Sequence, residues 1–280
     1  MITPLDISSI LPLGYGLLDQ AIATASAAAA SLINAVAGGG TFLTFPVLTD
    51  VAGLSPLAAN TTSTVALWPG AGASAIAARP ELARLPRPLV RTQLLISIAG
   101  GTLGAVLLLL LGQAAFSTAI PWLIGFATLL FAVSPIVNRW QKRQIEADAS
   151  PEPNRPAADR AARRMTRRLC LVQAVIALYG GYFGAGIGVL MLAGLGLAGL
   201  HSIHQLNALK VLLAAAVNLA ALVVFIVAGA VDWSLALPMA IASTITGYYG
   251  VKIARRVPAT ALRTLIVGIG IILTILYAHR

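Results

Sequence analysis

Charge is scarce in this chain, and acid is scarcest: nine Asp and Glu stand against nineteen Lys and Arg, and charged residues make up only 10% of 280. With 58% hydrophobic residues and a mean hydropathy of +0.88, too little polar surface remains to cover a water-soluble globule of this length. The single cysteine, Cys170, excludes an internal disulfide and reads as a small apolar residue. Also missing are H-E-x-x-H, G-x-S-x-G, a P-loop and any pair of acids inside an apolar stretch, so an enzyme or an ATP-driven pump lacks its chemistry. His201 and His204 have no Cys, Asp or Glu near enough to complete a metal set. No cofactor and no metal are expected. Met1 to Pro12 lacks the basic start and the small-residue cleavage site of a signal peptide, so the first apolar stretch reads as a retained span.

What the chain has is apolar length. Stretches of about 20 residues, enough to cross roughly 30 Å of hydrocarbon, run near 14–37, 56–78, 91–111, 117–138, 168–187, 205–230, 233–251 and 260–278. Two shorter ones lie near 41–54 and 188–200. The expectation is an all-α integral membrane protein of ten segments, five in each half. Trp68, Trp122, Trp140 and Trp233 fall mostly near segment ends, as interface anchors do.

The formal net charge of +10 would suit a nucleic-acid partner if it formed one patch, and it does not. No Lys or Arg precedes Arg79, and seventeen of the nineteen fall within 79–91, 139–168 and 252–263, each flanking apolar segments. That is the positive-inside pattern. It puts those three loops in the cytoplasm, with lipid as partner rather than nucleic acid. Each half then makes an odd number of crossings, so the second repeat is inverted relative to the first. Residues 1–138 form the N-terminal repeat, 139–168 a basic cytoplasmic linker and 169–280 the C-terminal repeat. The stretch 141–156, charged and proline-rich, reads as mobile.

The two halves share an unusual passage. Asn34-Ala-Val-Ala-Gly38-Gly39-Gly40-Thr41 leads after a short apolar stretch to Asn60-Thr61-Thr62-Ser63; about 147 residues on, Gly181-Tyr-Phe-Gly184-Ala-Gly186-Ile-Gly188 leads to Asn207-Ala-Leu-Lys210. Broken segments in matching positions of two halves point to a transporter's solute site, because unwound backbone in a membrane must line a cavity or be buried in protein. Helix restarts after Gly38, Gly39 and Gly40, or after Gly184, Gly186 and Gly188, expose N–H groups at the positive end of a dipole, which suits an oxyanion. Gly180, Gly184 and Gly188, four apart, equally suit helix packing.

Lys210 is the only basic side chain inside a long apolar segment. A charge there costs about 2.5–3.5 kcal/mol on insertion scales, so such a residue either serves a solute in the bundle interior or snorkels to headgroups. Asp19, Asp50 and Asp232 all sit near segment ends, so none is placed to neutralise it. A transported anion is the natural counter-ion. Asn60, Thr61, Thr62, Ser63 and Thr64, with Asn207, offer neutral hydrogen-bonding groups for its oxygens or else glue between helices, and Asn34 and Asn218 carry the same two readings.

Taken in order, Asn34 to Thr41, Phe45-Pro46, Ala59 to Ser63 and Trp68-Pro69-Gly70 resemble the first half of the sulfite exporter TauE/SafE family of bacterial membrane permeases. Gly181 to Gly188, Asn207 to Lys210, Gly229 to Trp233 and Ala254 to Pro258 resemble its second half. The resemblance implies a multi-pass permease of the cytoplasmic membrane that moves sulfur-containing anions such as sulfite or organosulfonates, commonly outward. A carrier for another small anion such as a carboxylate, and a non-transporting membrane scaffold, are the other readings. Homo-oligomerisation is left open.

Overall fold

The computed structural model describes residues 15–36, 39–147, 155–196, 202–254 and 259–279, and every regular element among them is helical. In chain order these are α1 (Leu17–Val36), α2 (Thr41–Pro46), which continues as a π-helical turn over Val47–Val51, α3 (Pro56–Ala77), α4 (Arg79–Leu82), α5 (Arg87–Ala147), α6 (Arg155–Tyr182), α7 (Ile187–Leu195), α8 (Ile203–Val227), α9 (Trp233–Ala254) and α10 (Ala259–Ala278).

Local chemistry sets the boundaries. Ser55 caps α3 by accepting from the Ala58 amide at 3.3 Å, and Pro56 occupies the first turn, where its missing N–H costs nothing. α5 is two helices joined at Gly112, whose φ of 72° and ψ of −175° no other residue takes easily, so the 87–111 limb and the 113–147 limb can each cross hydrocarbon. The second limb of α5 and the start of α6 run into the stretch 141–156 that the sequence reads as mobile: 141–147 and 155–156 are helical. The reason is composition, since 139–147 holds Arg, Lys, Gln, Glu and Ala without Gly or Pro, and Pro156 sits in the first turn of α6, where it is tolerated.

The two halves pack by exchange. α1 lies along α9 while α6 lies along α5; α3 packs on α9 while α8 packs on α5. Close approaches follow the same rule. A Cβ on Gly247 would lie 2.6 Å from the Gly70 backbone, and one on Gly101 would lie 2.8 Å from the Val217 carbonyl; Gly70 and Val217 are themselves 147 residues apart. Likewise Gly125 faces Thr274 and Gly270 faces Thr128. At the α3–α8 crossing, Trp68 Nε1 donates to Ala215 O at 3.1 Å, joining positions 147 apart. Trp68 is therefore a packing residue, whereas Trp122, 80% exposed, fits the anchor reading.

The outside of this bundle is apolar. Leu110, Val227, Ile241 and Leu171 are among many large aliphatic side chains left exposed on successive helices. Arg87–Val137 and His204–Val227 both carry a window with a mean hydropathy of 2.5 at lengths sufficient to cross a bilayer. A surface of this kind is solvated by lipid tails.

Candidate functional site

Between the halves lies a cavity of about 50 Å³. It is lined by Asn34 of α1; Thr41 at the start of α2; Thr64, Leu67, Ala71 and Ser74 of α3; Phe183 and Gly184 in the break after α6; Ile187 and Gly188 at the start of α7; and Lys210, Val211, Ala214 and Asn218 of α8. Along α3 the lining residues are three or four apart, as are Val211, Ala214 and Asn218 along α8, so each helix presents one stripe, with Lys210 beside the second. Four lining pairs stand 147 residues apart: Thr41 with Gly188, Thr64 with Val211, Leu67 with Ala214, and Ala71 with Asn218. The cavity is thus built from equivalent parts of both halves.

Backbone breaks position its walls. Gly184 (φ 80°) and Gly186 (φ 74°) are left-handed, a conformation that costs an L-residue about 1–2 kcal/mol, and this turns the chain so that α7 starts at the cavity. The Tyr179 hydroxyl donates to Ala185 O at 2.7 Å and pins the break. On the other side Asn34 Oδ1 accepts from the Gly40 amide at 2.7 Å and satisfies a donor just before α2. The cavity therefore meets the amide ends of two short helices.

Among the described lining residues Lys210 supplies the only formal charge, and none is acidic. The residue is 2% exposed, and its Nζ has no hydrogen-bond partner among the described residues. An ammonium with three unused donors in such a place is stabilised by whatever negative group enters.

A profile described as Sulfite exporter TauE/SafE matches residues 23–277. The chain belongs to that family. No curated protein and no solved structure matches it. Members of the TauE/SafE family are membrane permeases, so this chain is a membrane transporter rather than an enzyme.

Within this TauE/SafE chain the structure divides the candidate residues. Gly184, Gly188, Lys210, Asn34 and Asn218 line the cavity; Thr64, the last member of the polar run, lines it too, as do Thr41 and Ser74, which the sequence reading passed over. On α3 the lining residues Thr64, Leu67, Ala71 and Ser74 recur at helical spacing.

The rest of that run lies outside the cavity lining. Asn60 Nδ2 donates to Tyr182 O at 3.1 Å, the Thr61 hydroxyl donates to Ala230 O, Thr62 Oγ1 accepts from the Asp232 amide at 3.0 Å, and Ser63 shares a 2.5 Å hydrogen bond with Thr44. None of the four lines the cavity; consecutive residues on a helix point in different directions, and these tie α3 to three neighbours. Gly39 and Gly40 serve close packing, since a Cβ would lie 2.0 Å from the Phe131 ring and 2.4 Å from Ala30 O respectively. Gly186 is buried behind the wall as the residue before α7, and Gly38 lies outside the described residues. Asn207 shares a helix face with Val211 and Ala214 but sits one turn nearer the start of α8, where it is exposed.

Proposed function

We propose that the chain is a permease for small sulfur-containing anions, sulfite or an organosulfonate, exported across the bacterial cytoplasmic membrane. One observation carries this reading: Lys210, whose ammonium is buried without a partner, lines a cavity with no acid among its described lining residues. A sulfur oxyanion brings the missing charge and several acceptors at once. Thr41, Thr64, Ser74, Asn34 and Asn218 stand around the same cavity as neutral hydrogen-bonding groups, and the helix starts at Thr41 and Gly188 favour negative charge.

The exchange packing supports two inverted repeats, 1–138 and 169–280, joined by the basic stretch 139–168, with rocking of one repeat against the other giving alternating access. The basic segments 79–91, 139–168 and 252–263 are cytoplasmic on this reading, and the turns at Gly112 and Gly229 are outside. An inside-negative potential then drives anion export at about 2.3 kcal/mol per charge per 100 mV, and no second ion is needed.

The test is flux of radiolabelled sulfite, sulfoacetate and acetate in proteoliposomes at a set potential. The expected result is voltage-driven movement of one or both sulfur anions, in preference to acetate, that is lost in Lys210→Gln. Preferred acetate flux would overturn the substrate class; undiminished flux in the variant would remove Lys210 from the site.

A further inference from the structure

The cavity is offset along the helices that form it. On α3, Leu67, Ala71 and Ser74 fall in the half that leads to the basic segment at Arg79, and on α8, Lys210, Val211 and Ala214 fall in the half that starts beside the exposed Asn207, while Thr64 and Asn218 lie just past the helix middles. At the other end stands an aromatic cluster. Phe183, 3% exposed, lines the cavity and meets Phe45 edge-on at 5.8 Å and Phe116 at 6.1 Å, while Phe45 and Phe116 meet at 6.5 Å. Phe45 belongs to α2, and Phe116 lies four residues past the Gly112 turn, so the cluster sits on the side away from the basic segments.

Beyond Phe183 the polar stripe continues. Asn60 is one turn before Thr64 on the same face of α3, and the Thr64 hydroxyl donates to Asn60 O at 2.9 Å. The side-chain orientation of Asn60 is fixed because its Nδ2 donates to Tyr182 O, which leaves Oδ1 buried without a partner. A buried orphan acceptor is costly, and water reaching it recovers that cost. Phe183 also stands at a break in the wall, since left-handed glycines follow it at 184 and 186 and interrupt the helix there.

We propose that Phe183, seated on Phe45 and Phe116, is the gate that seals the cavity from the outer side, and that its swing about the Gly184–Gly186 break opens a path past Asn60. The closed aromatic seat excludes water from the passage; the open one hydrates Asn60 Oδ1. This rests on the transport reading and its sidedness, but its test needs no solute, so failure of the gate and failure of the substrate assignment are separate results.

The test is thiol accessibility in oriented membranes. Cys170→Ser removes the native thiol, Thr64→Cys reports on the cavity and Asn60→Cys on the passage beyond the gate, with a membrane-impermeant thiol reagent applied from either side. With Phe183 intact, the cysteine at position 64 is expected to react from the basic-loop side and to be protected from the other. Phe183→Ala is expected to raise its reaction from the outer side by about tenfold or more, and to raise that of the cysteine at position 60 from the same side. Phe183→Leu and Phe116→Leu, which keep apolar volume, are expected to give smaller increases and carry the test if the alanine variant does not fold. Equal outer-side reactivity in all four backgrounds would overturn the proposal.

Discussion

The α3 and α8 stripes occupy equivalent places in the cavity wall, yet their chemistry differs. Thr64 faces the position of Val211, Ala71 that of Asn218, and beside them Ser63 is matched by Lys210. Ser63 is turned away and bonded to Thr44, whereas the Lys210 ammonium has no partner. The backbone frame is duplicated and the charge is not. The inverted half-sites of the proposed transporter would need matching geometry to rock between two states, but an anion needs only one compensating cation, and a second would add to the cost of burial. The gate is uneven in the same way: the positions equivalent to Phe183 and Phe45 hold Val36 and Leu192.

The sharpest way to break this likeness is to move the charge. Lys210→Gln is expected to cut anion flux about tenfold to a hundredfold, the worth of a charge-assisted hydrogen bond of roughly 1.5–3 kcal/mol. Exchanging the residues, Ser63→Lys with Lys210→Ser, is expected not to restore flux, because position 63 faces Thr44 instead of the cavity. Rescue by the exchange would mean that the two half-sites are equivalent in chemistry as well as in frame. In the same measurements Lys210→Met should raise stability to denaturation while abolishing transport, as expected of a buried charge kept for function.

A smaller effect is expected where the breaks differ. Gly184→Ala places an L-residue at φ 80° with its Cβ 3.1 Å from Gly180 O, and should cost about 1–2 kcal/mol of stability, read as an earlier midpoint in denaturant. A neutral result would mean that this break relaxes freely. Smaller again is the polar asymmetry of the wall: Asn218→Ala should weaken anion binding severalfold, about 1 kcal/mol, and the reverse change Ala71→Asn should recover part of it. Binding measured by isothermal titration decides it.

An effect of similar size lies outside the cavity, where the Tyr15 hydroxyl donates to an Asp232 carboxylate oxygen at 2.7 Å and ties the start of α1 to the loop before α9. Burial, and then the bond to Asp232, pushes the Tyr15 hydroxyl up to about 12. Because that value is raised, the contact's contribution is complete below the ordinary tyrosine range near 10 and is lost as pH rises through about 12. Tyr15→Phe should cost about 1 kcal/mol at neutral pH, and should flatten the alkaline limb of a stability profile; an unchanged limb would assign it to other groups.

How far the site could be read in advance follows from what each residue signals. Lys210 announced itself because a lone charge in an apolar run has few reasons to be there. The glycine clusters announced breaks, but not that Gly39 and Gly40 would be spent on contact with Phe131 and Ala30 while Gly184 and Gly188 would face the cavity. Asn60 to Ser63 drew attention as a polar run, and consecutive polar residues on a helix cannot all face one cavity. Ser74 was hidden because an isolated hydroxyl in an apolar helix is ordinary.

By itself the sequence determined the solvent, the number of apolar segments and their duplication, because hydropathy, charge placement and spacing are properties of the chain before it folds. Only the tertiary structure decided which duplicated residues face one another. Helix rotation and the direction taken after each break are set by close packing, at places such as Gly70 on Gly247 and Phe183 on Phe45, and those contacts join residues far apart in the chain.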